Sequence, residues 1–304
     1  YLLELAHENL GFTHFHRAHL GTAAFHFRKA LDLSAEVGDH RGQAVAHLFL
    51  ARIHRIRGNL DSARENGAQA LKAIREVRDN SLEAGGLYAS GVVTLALDQR
   101  EEGLDLLERS RKLVEEHKLL QEYVAPVYAA LAEALLLTGV EFAALPQAER
   151  RRIAKRVRRL LRRSRRFARR FPAHLGPTLR ARGILELRLG RPGKAQRFFR
   201  RAVAVLRELD MSFQLARTYA VWSQAYEEGD PGRSGTLNMA HAISQEIGAA
   251  NAAVGLPEVP ERLPAAGQIE TATLPGATQI RSLIEVGKVL AATLDLDVLL
   301  EKTM

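Results

Sequence analysis

The sequence has 304 residues and contains neither cysteine nor a long apolar run. Without cysteine, disulfide bonds and thiolate metal sites are excluded, and a reducing, cytoplasmic location is favoured. The longest stretch free of acidic and basic side chains, Ala84–Leu97, has 14 residues, whereas a helix needs roughly 20 residues to cross a bilayer. We therefore expect no membrane-spanning segment.

Aromatic residues are also scarce, at 6 %, while hydrophobic residues make up 46 %. These proportions are typical of an ordinary soluble protein. The sequence begins with Tyr1 and stops at Met304 within an apolar pattern. We therefore expect it to be a piece of a longer protein.

Small residues recur at a fixed distance of 40 residues. The series are Gly11, Ala51 and Gly91; Ala23, Ala63 and Gly103; Ala30, Ala70 and Ser110; Ala195 and Gly235; and Ala202 and Ala242. Apolar residues separated by three and four positions lie between them, as in amphipathic helices. Small side chains at a constant period mark places where two helices approach closely, so the pattern predicts a stack of equivalent helix pairs.

The rhythm changes in the fourth pair, where a connector through Phe142 separates a first helix ending near Leu137 from a second beginning near Gln147. We expect about six pairs within residues 1–250. Residues 251–276 are rich in Ala, Pro and Gly, which is typical of a linker. Residues 277–304 predict a further amphipathic helix with a seven-residue repeat.

Two sets of residues carry a family resemblance. They are Leu10–Gly11 with Ala23, Phe27 and Ala30, and Gly183 with Ala195, Phe199 and Ala202. In type and spacing they resemble the tetratricopeptide repeat, although His7 and His14 stand where that family has aromatic residues, its closing proline is missing, and its usual period is about 34 residues. The resemblance implies an all-α, right-handed superhelical solenoid.

The end of the sequence carries a second resemblance. Leu294–Asp297 followed by Leu299–Glu301 looks like the entry helix of a GAF sensor domain. Together the two resemble large bacterial multidomain signalling proteins, in which kinase and ATPase domains precede the repeats and an output domain follows. The resemblance implies a non-catalytic protein–protein interaction and signal-relay module, whose kinase or ATPase activities would lie outside this sequence. Its partners would be a protein or peptide, flanking domains of the same polypeptide included.

Basic residues are concentrated in one segment. Residues 150–207 contain 22 Lys and Arg and the single acid Glu186, a net charge of +21, whereas the whole chain is +9 and the remainder therefore −12. The densest part, 150–170, also has an apolar helical stripe, and its predicted basic face comprises Arg151, Arg152, Lys155, Arg158, Arg159, Arg162, Arg163, Arg166 and Arg170.

Three interpretations of this basic face remain open. It is a solvated face of a repeat helix, a phosphate-tracking surface of a nucleic-acid-binding or transcription-regulatory module, or a dock for an acidic partner. No aromatic residues that could stack on bases alternate with the arginines, which disfavours the second.

In tetratricopeptide arrays the first helices line a concave groove. Carrying that arrangement over predicts groove contacts at Phe12, Phe15, Arg52, Arg55, Tyr88, Val92 and Tyr128. Aromatic and arginine side chains are the types that anchor interfaces. The alternative is that several of them are buried between neighbouring pairs.

No residues predict a metal, a cofactor or a catalytic site. On a helix, His14, His16 and His19 point in different directions, whereas zinc needs converging ligands. Gly190–Ala195 lacks the spacing and the hydroxyl residue of a phosphate loop, and Gly232–Gly235 follows no predicted strand, so both are interpreted as turns. We expect this piece not to be an enzyme.

Overall fold

The computed structural model describes residues 2–136 and 139–255, and within these ranges all regular structure is helical. The helices are α1 Leu2–His16, α2 Leu20–Val37, α3 His40–Ile56, α4 Leu60–Val77, α5 Asn80–Ala96, α6 Arg100–Glu116, α7 Val127–Leu136, α8 Gly139–Ala144, α9 Gln147–Arg170, α10 Leu175–Arg188, α11 Pro192–Glu208, α12 Ser212–Trp222, α13 Pro231–Ile247 and α14 Asn251–Val254. There are also three short 3-10 turns in the described residues. Glu122–Val124 precedes α7, Pro172–His174 precedes α10, and Ser223–Ala225 follows α12.

The helices pack in six successive pairs: α1 with α2, α3 with α4, α5 with α6, α7 with α9, α10 with α11, and α12 with α13. Each pair also packs against the next, and the first helices of successive pairs contact each other, as α3 contacts α5 and α10 contacts α12. This arrangement confirms the predicted all-α solenoid of about six helix pairs.

Local sequence sets where the helices begin and end. The side chains of Asp39, Asp79 and Asp230 each accept a hydrogen bond from the backbone N–H two residues later, which caps α3, α5 and α13. Gly38 and Gly248 end α2 and α13 with φ angles of 70° and 64°, a left-handed conformation that glycine adopts without steric cost.

Small residues stand where paired helices touch. A Cβ atom added to Gly11 would lie 2.9 Å from the Phe27 ring, and one added to Gly183 would lie 2.5 Å from Phe199. Since Phe27 and Phe199 are fully buried, neither ring has free space to move into. The small residue in the first helix therefore provides room for a large one in the second.

The sixth pair departs from the predicted period. Gly235 and Ala242 are exposed, whereas Thr236, Ala240 and Ser244 are buried. The buried stripe of α13 is thus displaced by one residue from the 40-residue register. Its register differs because α12 ends in a 3-10 turn and a loop at 226–230 leads into α13.

Two short helices occupy segments predicted as connectors. In the fourth pair α8 fills the insertion, and Phe142 within it is buried. The first residues of the predicted linker form α14, in which Val254 is buried. Just before this helix, the backbone N–H of Ala250 donates a hydrogen bond to the Ile56 carbonyl at 2.9 Å. The rest of that linker and the predicted helix at 277–304 lie outside the described residues. Of the helices described, none is both long and apolar enough to cross a membrane.

Candidate binding cavity

The first helices of all six pairs surround one cavity of about 260 Å³. Its walls come from α1, α3, α5, α7, α10 and α12, and the residues of α14 and Gly255 contribute a further side. Each pair places its second helix behind its first, so the cavity is lined by the surface that the successive first helices share. Four arginines and one glutamate line it: Arg52, Arg55, Arg180, Arg217 and Glu133.

A second cavity of about 360 Å³ adjoins the first. Its lining includes Phe12, Phe49 and Glu122, and four residues line both cavities. The shared residues are His16, Arg52, Pro126 and His174. The two cavities therefore meet beside the C-terminal end of α1 and the two 3-10 turns that precede α7 and α10.

Arg52 projects from α3 into a cluster of aromatic rings. The guanidinium carbon lies 4.5 Å from the ring centre of Phe15, 4.7 Å from that of Phe49 and 5.6 Å from that of Tyr88. Burial lowers the pKa of Arg52, while the nearby Glu122 carboxylate acts in the opposite direction. Cation–π contacts and one opposing charge thus stabilise this guanidinium.

Arg55 lies one turn further along α3 and has fewer compensating contacts. Its guanidinium carbon is 5.7 Å from the ring centre of Phe213 on α12. Its Nε is buried and has no hydrogen-bond partner among the described residues. Burial and the positive charge of Arg217 lower the pKa of Arg55 to about 10. At neutral pH it is a charged group without an ion-pair partner in the part of the chain that the structure describes.

A buried ion-pair network ties three first helices together. Glu133 of α7 accepts hydrogen bonds from Nε of Arg180 at 2.8 Å and from Nη2 of Arg217 at 2.9 Å. Arg180 also donates to the side chain and backbone of Gln214. Burial raises the pKa of Glu133, but the two arginines outweigh it and hold the pKa below its usual value. Because α10 and α12 supply the arginines, this network fixes one wall of the cavity.

Glu122 lies between two histidines where the cavities meet. Its Oε1 is 3.8 Å from Nε2 of His16 and 3.9 Å from Nε2 of His174. Burial, together with the charge of Arg52, lowers the pKa of His16 to about 4. Burial is also the largest cause that lowers the pKa of His174, to about 3, and the charges of His16 and Arg52 lower it further. Both histidines are therefore neutral at pH 7, and they add no charge to the cavity.

Most of the predicted groove residues lie around these cavities. Five of the seven line the first cavity, namely Phe15, Arg52, Arg55, Tyr88 and Val92, and Phe12 lines the second. Tyr128 lines neither, since it is buried in the core with its ring 5.5 Å from that of Phe167. Its pKa is raised to about 12 by burial.

The predicted basic face lies on α9, away from both cavities. Of its nine residues, eight are exposed and Arg158 is half-buried, and none lines a cavity. The opposite side of α9 buries Val157, Leu160 and Phe167 among other apolar residues. The neighbouring Arg156 donates to Glu108 at 2.7 Å.

The histidines of the first pair contact one another. His7 and His26 approach to 2.9 Å between their Nδ1 atoms, and His14 and His19 to 3.3 Å. No group of three or more potential ligand side chains in the described ranges has the arrangement that a metal ion needs. These contacts link α1 to the start of α2.

Sequence reasoning missed the cavity residues on α7, α10 and α12. One signal was present for Glu133, since it is the only charged residue in the apolar helix Val127–Leu136. A buried acid requires a partner. The partners Arg180 and Arg217 lie 47 and 84 residues away, a separation that no local pattern connects.

Comparisons with known proteins agree with this geometry at the level of the fold. No protein-family model matches the sequence, and no curated protein matches it. Among solved structures, a Rap protein complexed with Competence and Sporulation Factor is 12 % identical, with a TM-score of 0.50 over 74 % of this chain and 65 % of that one. The chain has a tetratricopeptide-like repeat fold.

Two further solved structures are similar in the same way. The apo form of RapI is 15 % identical, with a TM-score of 0.49 over 80 % of this chain and 83 % of that one. BtubC from P. vanneervenii is 17 % identical, with a TM-score of 0.47 over 86 % of this chain and 99 % of that one. At these identities the likeness concerns the fold alone.

Proposed function

We propose that this helical-repeat chain is a non-catalytic protein-interaction and signal-relay module that binds a peptide or protein segment in the cavity between its first helices. The observation that carries the proposal is the lining itself, to which all six pairs contribute. Arginine and aromatic side chains occupy it, and these types anchor interfaces when they are desolvated. The Glu133 network holds the wall in place before any ligand arrives, which reduces the entropic cost of binding.

The relay role follows from where the ligand would lie. The cavity is bounded by α3 on one side and by α12 and α14 on others. A segment bound there would contact early and late repeats at once, and it would favour the arrangement in which α14 packs on α3. Occupancy of the cavity would then be relayed through the position of α14. Population shift of this kind requires only that the ligand bind one arrangement more tightly.

The larger setting is part of the same proposal. We place the module in a bacterial, cytoplasmic signalling protein, with a Pro-rich linker running from α14 to Gly276 and a GAF-like domain beginning within 277–304. Catalytic domains would lie elsewhere in that protein. The basic face of α9 does not contribute to the proposed site, because its residues are solvated and remote from the cavity lining.

The proposal is tested by selecting peptides from an unbiased display library against the purified chain. A matched pair of variants then locates the bound peptides. Val92→Trp fills the cavity, because Val92 is a half-buried lining residue. Arg159→Trp adds the same ring to the exposed face of α9. We expect the selected peptides to bind the wild type and Arg159→Trp alike and to bind Val92→Trp at least tenfold more weakly.

Two results would count against the proposal. One is a selection that enriches no peptide. The other is a set of peptides that bind the cavity-filled variant as tightly as the wild type, since the site would then lie elsewhere. Circular dichroism of both variants shows whether the helices are retained.

A further inference from the structure

The charges around the first cavity do not balance. Among the described lining residues, four are arginines and one is a glutamate. Glu122, in the adjoining cavity, opposes the charge of Arg52. Even with this second acid counted, positive charge remains in excess, and the excess lies on the side of the cavity formed by α3 and α12.

Arg55 is a cavity arginine with no carboxylate at ion-pair or hydrogen-bond distance in the described residues, although the charge of Glu133 acts on it from further away. Both oxygens of Glu133 already accept hydrogen bonds from arginines. Arg217, which uses one of those oxygens, is close enough for its charge to lower the pKa of Arg55. Among the described residues no carboxylate lies within ion-pair distance of Arg55, and its buried Nε lacks an acceptor. A buried charged donor without an acceptor destabilises the folded state, so the side chain of Arg55 lowers the stability of the unliganded protein.

The other residues that line the cavity indicate what kind of molecule could pair with the Arg55 guanidinium. Apolar side chains surround the arginines, with Ile56, Val92 and Leu95 on one side and Met211 and Phe213 on the other. The two lining histidines are neutral at pH 7 and do not compete for an anion. A single anionic group with apolar neighbours therefore matches this surface, whereas a densely charged ligand does not.

We propose that Arg55, together with Arg217, binds the carboxylate of an acidic side chain within a peptide whose flanking residues are apolar. This inference rests on the proposed function, because it takes the cavity to be a peptide site. It adds the chemistry of recognition: a carboxylate at the α3–α12 side, and apolar side chains against α5 and against Met211 and Phe213 at the N-terminal end of α12. Charge-assisted hydrogen bonds to a carboxylate would satisfy the donors of Arg55 that the fold leaves open.

The test compares three peptide libraries that differ at one fixed central residue. The central residue is aspartate, asparagine or phosphoserine, and the flanking positions are randomised among apolar residues. Binding is measured to the wild type, to Arg55→Gln, and to Arg159→Gln as the matched control on the exposed face of α9. We expect peptides with aspartate to bind the wild type at least tenfold more tightly than their asparagine counterparts. Arg55→Gln should abolish that preference, and Arg159→Gln should retain it.

The possible failures are distinguishable. If an unbiased library yields cavity-binding peptides that show no acidic preference and bind Arg55→Gln equally well, the carboxylate site is wrong and the proposed function stands. A preference for phosphoserine over aspartate overturns the assignment to a carboxylate. If no library yields a peptide but acetate or citrate raises the melting temperature of the wild type and not of Arg55→Gln, the occupant is a free anion and the peptide is wrong. If no library yields a peptide, and neither acetate nor citrate raises the melting temperature of the wild type above that of Arg55→Gln, both proposals fail.

Discussion

Replacing Arg55 with methionine should make the unliganded protein more stable. The guanidinium has a buried Nε without an acceptor and faces the charge of Arg217. An unsatisfied buried donor costs about 1–3 kcal/mol, and more when it is charged. Arg55 is half-buried at the edge of a cavity, so we take about 1–2 kcal/mol as the cost of the wild-type side chain. Methionine keeps the aliphatic stem beside Phe213 while it removes the charge.

The gain is measured by urea unfolding and by thermal melting at pH 7. For a domain of this size, about 1–2 kcal/mol corresponds to a rise of roughly 3–6 °C in Tm. Arg159→Met on the exposed side of α9 is the control, for which we expect a change within about 0.5 kcal/mol. A gain in stability is unusual, because most substitutions of buried or half-buried residues destabilise the folded protein.

A loss of stability in Arg55→Met would refute this reasoning. It would mean that the guanidinium has compensating interactions within the folded chain and is a structural group. A gain that disappears when an anionic peptide saturates the wild type would instead agree with it, because the ligand would supply the missing partner.

Three other substitutions test the packing and electrostatics in the same unfolding assays. Glu133→Gln leaves the buried Arg180 and the half-buried Arg217 without their carboxylate and should lower the free energy of unfolding by about 3–5 kcal/mol; an unchanged value would show that the network contributes nothing. Gly183→Ala forces a methyl group to 2.5 Å from Phe199 and should cost about 1–3 kcal/mol, whereas Gly193→Ala, which has no neighbour within 4 Å, should be close to neutral. The pKa of His174 is about 3 in the folded state and about 6.5 in the unfolded state. Between pH 7 and pH 5 only the unfolded state takes up this proton, so His174 should lower the free energy of unfolding of the wild type by about 2 kcal/mol as the pH is lowered. His174→Gln should lose that share of the pH dependence, while the similar share that His16 contributes remains; a slope identical to that of the wild type would contradict the assignment.

Much of the fold could be predicted because it repeats. Gly11 and Gly183 stand opposite large buried rings in different pairs, and the same spatial requirement recurring along the chain leaves a period that a single sequence reveals. The period fails in α13, where Gly235 is exposed. The helix before it ends early, and the length of a connecting loop is not encoded in the spacing of small residues.

The cavity was predictable only in part. Arg52 and Arg55 could be assigned to the inner surface because the resemblance to tetratricopeptide arrays implies that the first helices line a groove. Tyr128 is assigned in the same way, yet it is buried, because its ring lies against Phe167 of α9, the second helix of its own pair. The partners of Glu133 come from distant helices, and only the three-dimensional arrangement brings their charges together.

The most direct test is a crystal structure of the chain bound to a peptide selected against it. We predict that the peptide lies in the cavity between the first helices and that one of its carboxylates is within hydrogen-bond distance of the Arg55 guanidinium. A peptide bound on the exposed side of α9, or one inside the cavity with no acidic group near Arg55, would contradict it.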